Sequence, residues 1–363
     1  MTRVRPFARP DIPAVVALHE RVFGSVPTFP AAERAENFDE VFFQNPWRDD
    51  ALSSLVSVSE HDTIVGFLGV VPSRMSFEGS PIRVAISTQL MVEPAGASVY
   101  SAVQLLKTFF AGPHDLALAD GANDRARALA ERLGAEASPL YGLHWTRPLR
   151  PSRHYLDLFR KQRWLAPALA PLMPLSAAAD AVAARVRPNR FHRAVEGTTR
   201  ARLDTEVMLR GLPRFSRRCA LRPAFDREAL DWRLRLAARK QRHGALRGQA
   251  VRDPGGDVVG WYLYYASPDG MSDVLQIAAE DDAMRAVLDH LFADAWSHGS
   301  VAISGRLEPR FMKALSLKHC SFHALGPHFL LHSPRPAIRA AIQRGDASLS
   351  RLDGEWWMRF IGG

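Results

Sequence analysis

The sequence predicts a protein of the α/β class, more narrowly α+β, that folds as two tandem units, each with a mixed, mostly antiparallel sheet flanked by helices. A strand-like segment at 82–92 passes through a Pro-Gly turn into a helix-like segment, which is the clearest local signal. The same order of hairpin, strand and helix recurs about half a chain later. The length of 363 residues exceeds twice the roughly 150 residues of an average domain, so two units are expected.

The strand–turn–helix junction around residue 95 organises this interpretation. Its helical half places apolar residues at i, i+3, i+4, i+7 and i+11, and these are Val99, Ala102, Val103, Leu106 and Phe110. A helix that starts directly after a strand points free backbone N–H groups and the positive end of its dipole at one spot. Such a spot suits a phosphate or pyrophosphate group.

The segments before the junction are typical of a strand, a helix and an antiparallel hairpin. The first helix is expected after residue 11, with Asp11 as its N-cap and Pro13 in its first turn. The hairpin is expected to pair 52–58 with 64–70, and Gly66 lies in its second strand. The first unit therefore begins with elements that can build one edge of a sheet.

After the junction, a strand at 114–120 leads into a helix with the pattern Asn-x-x-Ala-x-x-Leu, which starts at Asn123. Segment 139–149 is expected to be the closing strand of the first unit. In this order, residues 1–150 resemble a GNAT-type N-acetyltransferase domain, from the superfamily that transfers an acyl group from acyl-coenzyme A to an amine or hydroxyl. The resemblance implies acetyl-CoA or another acyl-CoA as co-substrate, and no metal.

The resemblance also implies which residues hold the coenzyme. They lie at the end of the strand, in the junction, in the first helical turn and at the start of the following helix, namely Met91, Val92, Ala97, Ser98, Val99, Tyr100, Ser101 and Asn123. The arginine and two glycines of the family's junction fall on Ala97, Ser98 and Tyr100. The tyrosine that the family often keeps in the following helix is Ala130 here. The junction thus keeps the family's length but not its glycines.

Three residues are candidates for the proton transfers that acyl transfer from a thioester requires. Glu93 is the only carboxylate beside the junction in the sequence, and a role as base is expected for it. Tyr141 is the candidate to replace the family's missing tyrosine acid, and His144, alternating with it on one predicted strand, is a candidate base. A purely structural role is the alternative for each residue.

Residues 151–193 are expected to link the two units. Segment 164–179 is apolar, contains three prolines and follows the basic run FRKQR. Basic flanks beside an apolar stretch are typical of a membrane-surface segment, whereas internal prolines disfavour one amphipathic helix. A connector packed on one unit is the favoured interpretation, and contact with a membrane surface is the alternative.

The second unit, 194–363, is interpreted as a degenerate GNAT-like domain. Its hairpin has a DPGGD turn, and Gly260 takes the place of Gly66. Its junction carries Glu, Asp and Asp at positions 280–282, where a pyrophosphate would bind, and carboxylates repel a phosphate. We therefore expect this unit to complete an acceptor site or to stabilise the first unit rather than to bind coenzyme A.

The composition narrows the class of partner and compartment. A net charge of +9 and a pI near 10 favour a polyanionic partner, although an arginine-rich, solvated surface explains them equally well. The two cysteines, Cys219 and Cys320, lack metal-ligand spacing and are expected to be free thiols in a reducing compartment. The sequence shows no secretory leader and no apolar window of about 18 residues, so a cytoplasmic protein is expected.

The leading hypothesis is an acyl-CoA-dependent acyltransferase that acts through the first unit on an amine or hydroxyl acceptor. Tandem GNAT-like proteins include ones associated with cell-envelope or exopolysaccharide modification, so a saccharide is the first acceptor to consider. One alternative is a Fem-type transferase, which uses aminoacyl-tRNA and fits the basic charge; nucleic acid is nevertheless the less favoured partner. The other is a non-catalytic binding protein. The oligomeric state stays open.

Overall fold

The computed structural model describes residues 2–24, 30–93, 98–160, 173–186 and 197–358. Its helices are α1 (Ile12–Phe23), α2 (Ala31–Phe42), α3 (Ser98–Phe110), α4 (Asp124–Arg132), α5 (Pro151–Arg160), α6 (Met173–Val186), α7 (Thr205–Phe215), α8 (Arg227–Ala238), α9 (Met284–Ser297), α10 (Met312–Leu317) and α11 (Pro336–Gln343). Its strands are β1 (Arg3–Pro6), β2 (Leu55–Val58), β3 (Ile64–Phe77), β4 (Ser80–Val92), β5 (Leu116–Ala122), β6 (Glu136–Ala137), β7 (His144–Pro148), β8 (Thr199–Arg202), β9 (Leu221–Pro223), β10 (Ala245–Arg252), β11 (Val258–Ala266), β12 (Met271–Ala279), β13 (Ala302–Arg306), β14 (Ser321–His323) and β15 (His328–His332).

Helix α1 begins where the sequence predicts, but Asp11 does not cap it. The Asp11 carboxylate accepts the Ala8 backbone N–H at 2.9 Å and two N–H groups of Arg5 at 2.6 and 2.8 Å. The hydrogen bond from Arg5 holds the pKa of Asp11 below its usual value. Asp11 therefore stabilises the turn before α1 instead of the helix itself.

The strands form two mixed, mostly antiparallel sheets of the same design. The first sheet has the order β1-β2-β3-β4-β5-β15-β6, with β9 paired to β3. The second has the order β8-β10-β11-β12-β13-β7-β14. In each sheet the central pair, β4 with β5 or β12 with β13, is parallel, and the other described pairs are antiparallel. The predicted α+β class with two sheets is confirmed.

The chain divides into two compact units, each built from segments that are not contiguous. The first unit contains Met1–Gly142, Arg218–Ala237 and Gly326–Gly363, and the second contains Leu143–Arg217 and Ala238–Leu325. This division differs from the contiguous domains 1–150 and 194–363 expected from the sequence. The difference arises because β7, expected to close the first sheet, pairs with β13 in the second, and β15 closes the first.

The predicted equivalence of Gly66 and Gly260 is confirmed by register. Gly66 lies opposite Val92, the last residue of β4, and Gly260 lies opposite Ala279, the last residue of β12. A Cβ on Gly66 would stand 3.1 Å from the side chain of Leu105 in α3, and one on Gly260 would stand 2.6 Å from a side chain of α9. Each glycine therefore lets a helix pack closely over its sheet.

Apolar side chains cover both faces of the first sheet. On one face, Leu105 and Phe109 of α3 pack against Leu68 and neighbouring residues of the strands. On the other face, Phe38 and Phe42 of α2 pack against Phe67, with ring centroids 5.5 to 5.7 Å apart. Because helices cover both faces, a ligand can reach the sheet only at its edges or where strands separate.

The helices in the described part of the chain are all too short or too polar to cross a membrane. The apolar segment 164–179 lies outside the described residues as far as residue 172, and its remainder forms the start of α6.

Candidate active site

The parallel strands β4 and β5 separate towards their carboxyl ends. They pair only from Val84 to Ile86, opposite Leu116 to Leu118, whereas β4 continues to Val92. At the fork, the Ser87 hydroxyl donates a hydrogen bond of 3.3 Å to the Leu118 carbonyl. The described part of β4 beyond the fork therefore presents backbone groups to a gap instead of to β5.

A β-bulge lies in β4 beside this gap. The register between β3 and β4 shifts between Phe67 and Gly69, so that β4 carries one extra residue there. Gln89, in the bulge, has a φ of 51°, in the left-handed region that residues with a Cβ rarely adopt. Bulges and strained backbone concentrate at functional sites, where they redirect backbone and side-chain groups.

Helix α3 starts at the same end of the sheet as this gap. Its first N–H groups have no partner within the helix, and its dipole adds positive potential there. Ser101, in the first turns, is 1% exposed, and its hydroxyl lacks a hydrogen-bond partner among the described residues. The N-terminal end of α3 is therefore suited to an anionic group, as the sequence predicts.

The other predicted coenzyme-binding residues have diverse environments. Val99 and Tyr100 are 70% and 52% exposed on α3, so neither side chain is held by the protein. Ala97 lies outside the described residues, and Ser98 is described only as the first residue of α3.

Met91 and Val92 form the end of β4, where the sequence places them. Met91 is buried opposite Phe67, and Val92 lies opposite Gly66. Asn123 follows β5, and its side-chain carbonyl accepts the Ala126 N–H at 2.9 Å, which makes it the N-cap of α4. Asn123 therefore caps α4, a structural role that the resemblance did not indicate.

Glu93 is held by an ion pair. Its carboxylate lies 2.8 Å from Nε of Arg21 in α1, and its backbone N–H donates to Val65. The second unit repeats both features, because Glu280 lies 2.6 Å from Nε of Arg214 and its N–H donates to Val259. A pair that recurs beside the acidic second junction belongs to the fold, which favours a structural role for Glu93.

Tyr141 and His144 do not share a strand. Strand β7 begins at His144 and belongs to the second unit, whereas Tyr141 belongs to the first. The Tyr141 hydroxyl is fully buried, donates to the Ala347 carbonyl at 2.6 Å and accepts the Ala347 N–H at 3.1 Å. His144 is buried opposite His323, with ring centroids 6.1 Å apart. The predicted alternation was wrong because the chain turns between these residues.

Two buried carboxylates lie near the end of β5 that the sequence analysis did not connect. Asp120 and Glu355 are each 3% exposed, and Asp120 accepts the Glu355 backbone N–H at 2.9 Å. A Cβ on Gly354 would overlap the Asp120 carboxylate, and one on Gly121 would overlap that of Glu355. The glycines thus allow the C-terminal segment to lie directly against β5. In the sequence, the feature that could have indicated this site is that each glycine is adjacent to one of the two carboxylates.

The segment that carries Glu355 is fixed by a buried arginine. Arg233 of α8 is 1% exposed and donates to the Leu352 carbonyl at 3.0 Å and to the Ser73 hydroxyl at 2.9 Å. Its guanidinium also lies over the Trp357 ring, 5.5 Å from the centroid. These contacts hold the C-terminal segment in place beside the first sheet.

The second unit has a corresponding fork with different chemistry. Strands β12 and β13 pair only from Met271 to Asp273, opposite Ala302 to Ser304, and β12 continues to Ala279. Two exposed acidic residues, at positions 281 and 282, precede α9 and place negative charge beside the N-terminus of this helix. The electrostatics favour an anionic ligand in the first unit over the second.

Metal and thiol chemistry has no arranged site in the described residues. They contain no group of three or more His, Cys, Asp or Glu side chains that could hold a metal ion. Neither Cys219 nor Cys320 forms a disulfide within the described part of the chain. Burial raises the pKa of Cys320 to about 12, so this thiol stays protonated and unreactive at neutral pH.

The chain is similar in fold to several solved structures that are described as acyltransferases. A probable N-acyltransferase from Enterococcus faecalis V583 has a TM-score of 0.58 and 12% identity, covering 92% of this chain and 73% of its own. The GCN5-related N-acetyltransferase from Kribbella flavida has a TM-score of 0.56 and 13% identity, and the match covers 94% of this chain and 74% of that protein. The GCN5-related N-acetyltransferase from Anabaena variabilis ATCC 29413 has a TM-score of 0.57 and 10% identity, and the match covers 93% of this chain and 74% of that protein.

These identities show the fold alone. No protein-family profile and no curated protein sequence matches the chain. Each structural match covers more than nine-tenths of the chain, so both units take part in it. The chain therefore has the GNAT N-acyltransferase fold, arranged as two tandem units.

Proposed function

We propose that the protein is an acyltransferase that moves an acetyl or other acyl group from acyl-CoA to an amine or hydroxyl, through the first unit. The observation that carries this proposal is the fork between β4 and β5, which opens beside the N-terminus of α3. One end of this arrangement suits a pyrophosphate and the other offers strand N–H groups to a carbonyl oxygen. The structural likeness to acyltransferases supports the same activity.

The residues present fit an acyl-CoA. The N–H groups at the start of α3, together with the unpaired Ser101 hydroxyl, would hold its phosphates. The end of β4 at Met91 and Val92 would orient the thioester, which supplies an activated acyl group. The second unit lacks this complementarity because its junction is acidic, so we assign it a structural or acceptor-completing role.

We assign acceptance of the acceptor's proton to the pair Asp120 and Glu355. Acyl transfer forms a bond from the acceptor nitrogen or oxygen to the acyl carbon and breaks the carbon–sulfur bond. The acceptor's proton would pass to this carboxylate pair, and coenzyme A would leave as a thiolate that takes a proton from water. Both carboxylates are buried near the separated end of β5, and Glu93 is held by Arg21 instead. The proposal thus moves the base from β4 to β5.

The acceptor that we propose first is a saccharide amine or hydroxyl, as in a cell-envelope or exopolysaccharide precursor. The test is acetyl-CoA-dependent release of free thiol in the presence of glucosamine, with identification of the N-acetylated product by mass spectrometry. Product that depends on both substrates would support the activity. Acetyl-CoA binding without turnover on any amine or hydroxyl acceptor would instead favour a non-catalytic protein.

The net charge of +9 keeps a tRNA-dependent transferase as a second candidate. That function predicts copurifying RNA and an association with tRNA that weakens steeply with salt. A gel-shift titration with bulk tRNA between about 50 and 200 mM salt distinguishes the two functions. No shift at the lowest salt would exclude this candidate.

A further inference from the structure

Helix α5 of the second unit presents its apolar face to solvent. Tyr155, Leu158 and Phe159 are 54%, 44% and 55% exposed, and their spacing places them on one face of the helix. Arg153 and Asp157, on the opposite face, are partly buried. A surface helix of a globular protein normally has the reverse arrangement, with its apolar residues towards the core. The orientation of α5 is therefore inverted.

Helix α6 repeats the inverted arrangement. Leu175 and Val182 are 65% and 57% exposed, and they lie seven residues apart, on one face. Ala178 and Ala179, between them, are exposed on the same face. The polar residues Ser176 and Asp180 are buried instead. Two neighbouring helices thus direct polar side chains inward and apolar side chains outward.

Polar contacts fix α5 in this orientation. The buried Asp180 carboxylate of α6 accepts the backbone N–H groups of Ser152 and Arg153, each at 3.0 Å, at the start of α5. The Arg153 guanidinium donates to Asp269 at 2.6 Å. Because these bonds hold the polar side of α5 against the second unit, its apolar side stays exposed. We call the five large exposed side chains the α5–α6 face, and they are Tyr155, Leu158, Phe159, Leu175 and Val182.

The chain around this face carries most of the protein's net charge. Residues 160–193 contain seven Lys or Arg residues and one Asp, and thus contribute +6 of the net charge of +9. Exposed apolar patches mark interaction sites, and a concentration of basic residues beside one favours an anionic partner. The combination is typical of protein segments that lie on a membrane surface.

Other partners match only half of this combination. A second copy docked on the α5–α6 face would bring two such basic stretches together, and their like charges would repel. Nucleic acid would match the charge, but exposed leucine and valine side chains contribute nothing to contacts with phosphates. An anionic membrane offers lipid phosphates to the basic residues and acyl chains to the apolar ones.

We propose that the α5–α6 face binds the surface of an anionic membrane, with its apolar side chains inserted at the boundary between headgroups and acyl chains. The helices would lie on the bilayer rather than cross it. This inference goes beyond the proposed function and does not depend on acyl transfer.

Vesicle flotation of the intact protein tests the inference. The protein should float with vesicles of phosphatidylcholine and phosphatidylglycerol. Binding to phosphatidylcholine alone should be at least about tenfold weaker, and salt should weaken binding to the mixed vesicles, because electrostatic attraction contributes to it. Equal binding to both kinds of vesicle, or no binding to the mixed vesicles, would overturn the inference.

Substitutions on the face should separate insertion from attraction by charge. Leu158→Ser and Phe159→Ser should each lower the partition coefficient at least about tenfold, because a large side chain buried in an apolar phase favours binding by about ten- to hundredfold. The control, Leu317→Ser, changes a leucine of α10 that is 55% exposed in the same unit, and it should bind like the wild type. Melting temperatures should be unchanged, since all three side chains are exposed.

Hydrogen exchange of the wild type gives a readout that does not depend on the folding of any variant. Mixed vesicles should slow amide exchange in α5 and α6 and leave exchange in α10 unchanged. Unchanged exchange in α5 and α6, or normal vesicle binding by a folded Phe159→Ser, would contradict the proposed face. Protection of α5 and α6 by self-association in the absence of vesicles would replace the membrane with a second copy.

Discussion

At the residue scale, the structure separates side chains that serve the fold from those available for chemistry. The ion pairs Arg21–Glu93 and Arg214–Glu280 repeat between the units, so the position of each glutamate beside a junction reflects how α1 and α7 attach to their sheets. Tyr141 is likewise committed to the backbone of Ala347. The sequence pointed to these residues by proximity along the chain, which does not reveal their partners.

The assignment of the base predicts contrasting effects of two conservative substitutions. Glu355→Gln should lower kcat by about 10²–10⁴-fold with little change in KM for acetyl-CoA, because it removes a proton acceptor. Glu93→Gln should change kcat/KM by less than about fivefold, because a partly exposed ion pair contributes about 0.2–1 kcal/mol. Steady-state kinetics across pH, with melting temperatures, checks both. Full activity of Glu355→Gln would remove this residue from the reaction.

His114 predicts an acid-sensitive first unit. It is 4% exposed, neither ring nitrogen has a partner among the described residues, and burial, reinforced by His332, lowers its pKa to about 4. Since the unfolded chain binds a proton near pH 6.5, stability should be complete above that pH and decline by up to about 3 kcal/mol as pH falls to 4.

Urea denaturation between pH 7 and 4 measures this effect. His114→Phe should flatten the decline, whereas His61→Phe, at an exposed turn, should leave it unchanged. An equal decline in His114→Phe and the wild type would show that other groups cause the acid sensitivity.

At the scale of elements, local sequence patterns predicted the features that depend only on neighbouring residues. The junction of β4 and α3 and the glycines of both hairpins follow from periodicity and turn chemistry, which are local. The exchange of closing strands could not be predicted in this way, because the sequences HWTRP of β7 and HFLLH of β15 do not indicate which sheet each strand joins. Partner choice depends on contacts far apart in sequence, as does the meeting of Asp120 with Glu355.

The exchange predicts that the fragment 1–150 will not fold alone. It lacks β9, α8, β15 and the C-terminal segment, all of which belong to the first unit, and it carries β7 of the second. Its urea unfolding, followed by circular dichroism, should be non-cooperative. Coexpression with the fragment 151–363 should restore a cooperative transition. Cooperative unfolding of 1–150 by itself would contradict the assignment of β15 to the first sheet.

At the scale of the whole molecule, one fold is present twice and the two copies differ in what they offer a ligand. In the first unit, Glu93 is followed by uncharged residues at 94–101, and Phe67 occupies the position that Trp261 has in the second unit. The second has acidic residues at its junction and Trp261 bonded to Gln276. The sequence predicted the difference in charge, whereas the hydrogen bond between Trp261 and Gln276 is visible only in the structure.

We propose that each chain holds one acyl-CoA, at the junction of the first unit. Calorimetric titration with acetyl-CoA tests it most directly, using the wild type, Ser98→Asp and a control, Ala337→Asp, which adds the same charge to the exposed first turn of α11. We expect one site per chain. Ser98→Asp should abolish it because the added carboxylate repels the pyrophosphate, and the control should retain it. Two sites per chain, no binding by the wild type, or normal binding by Ser98→Asp would contradict it.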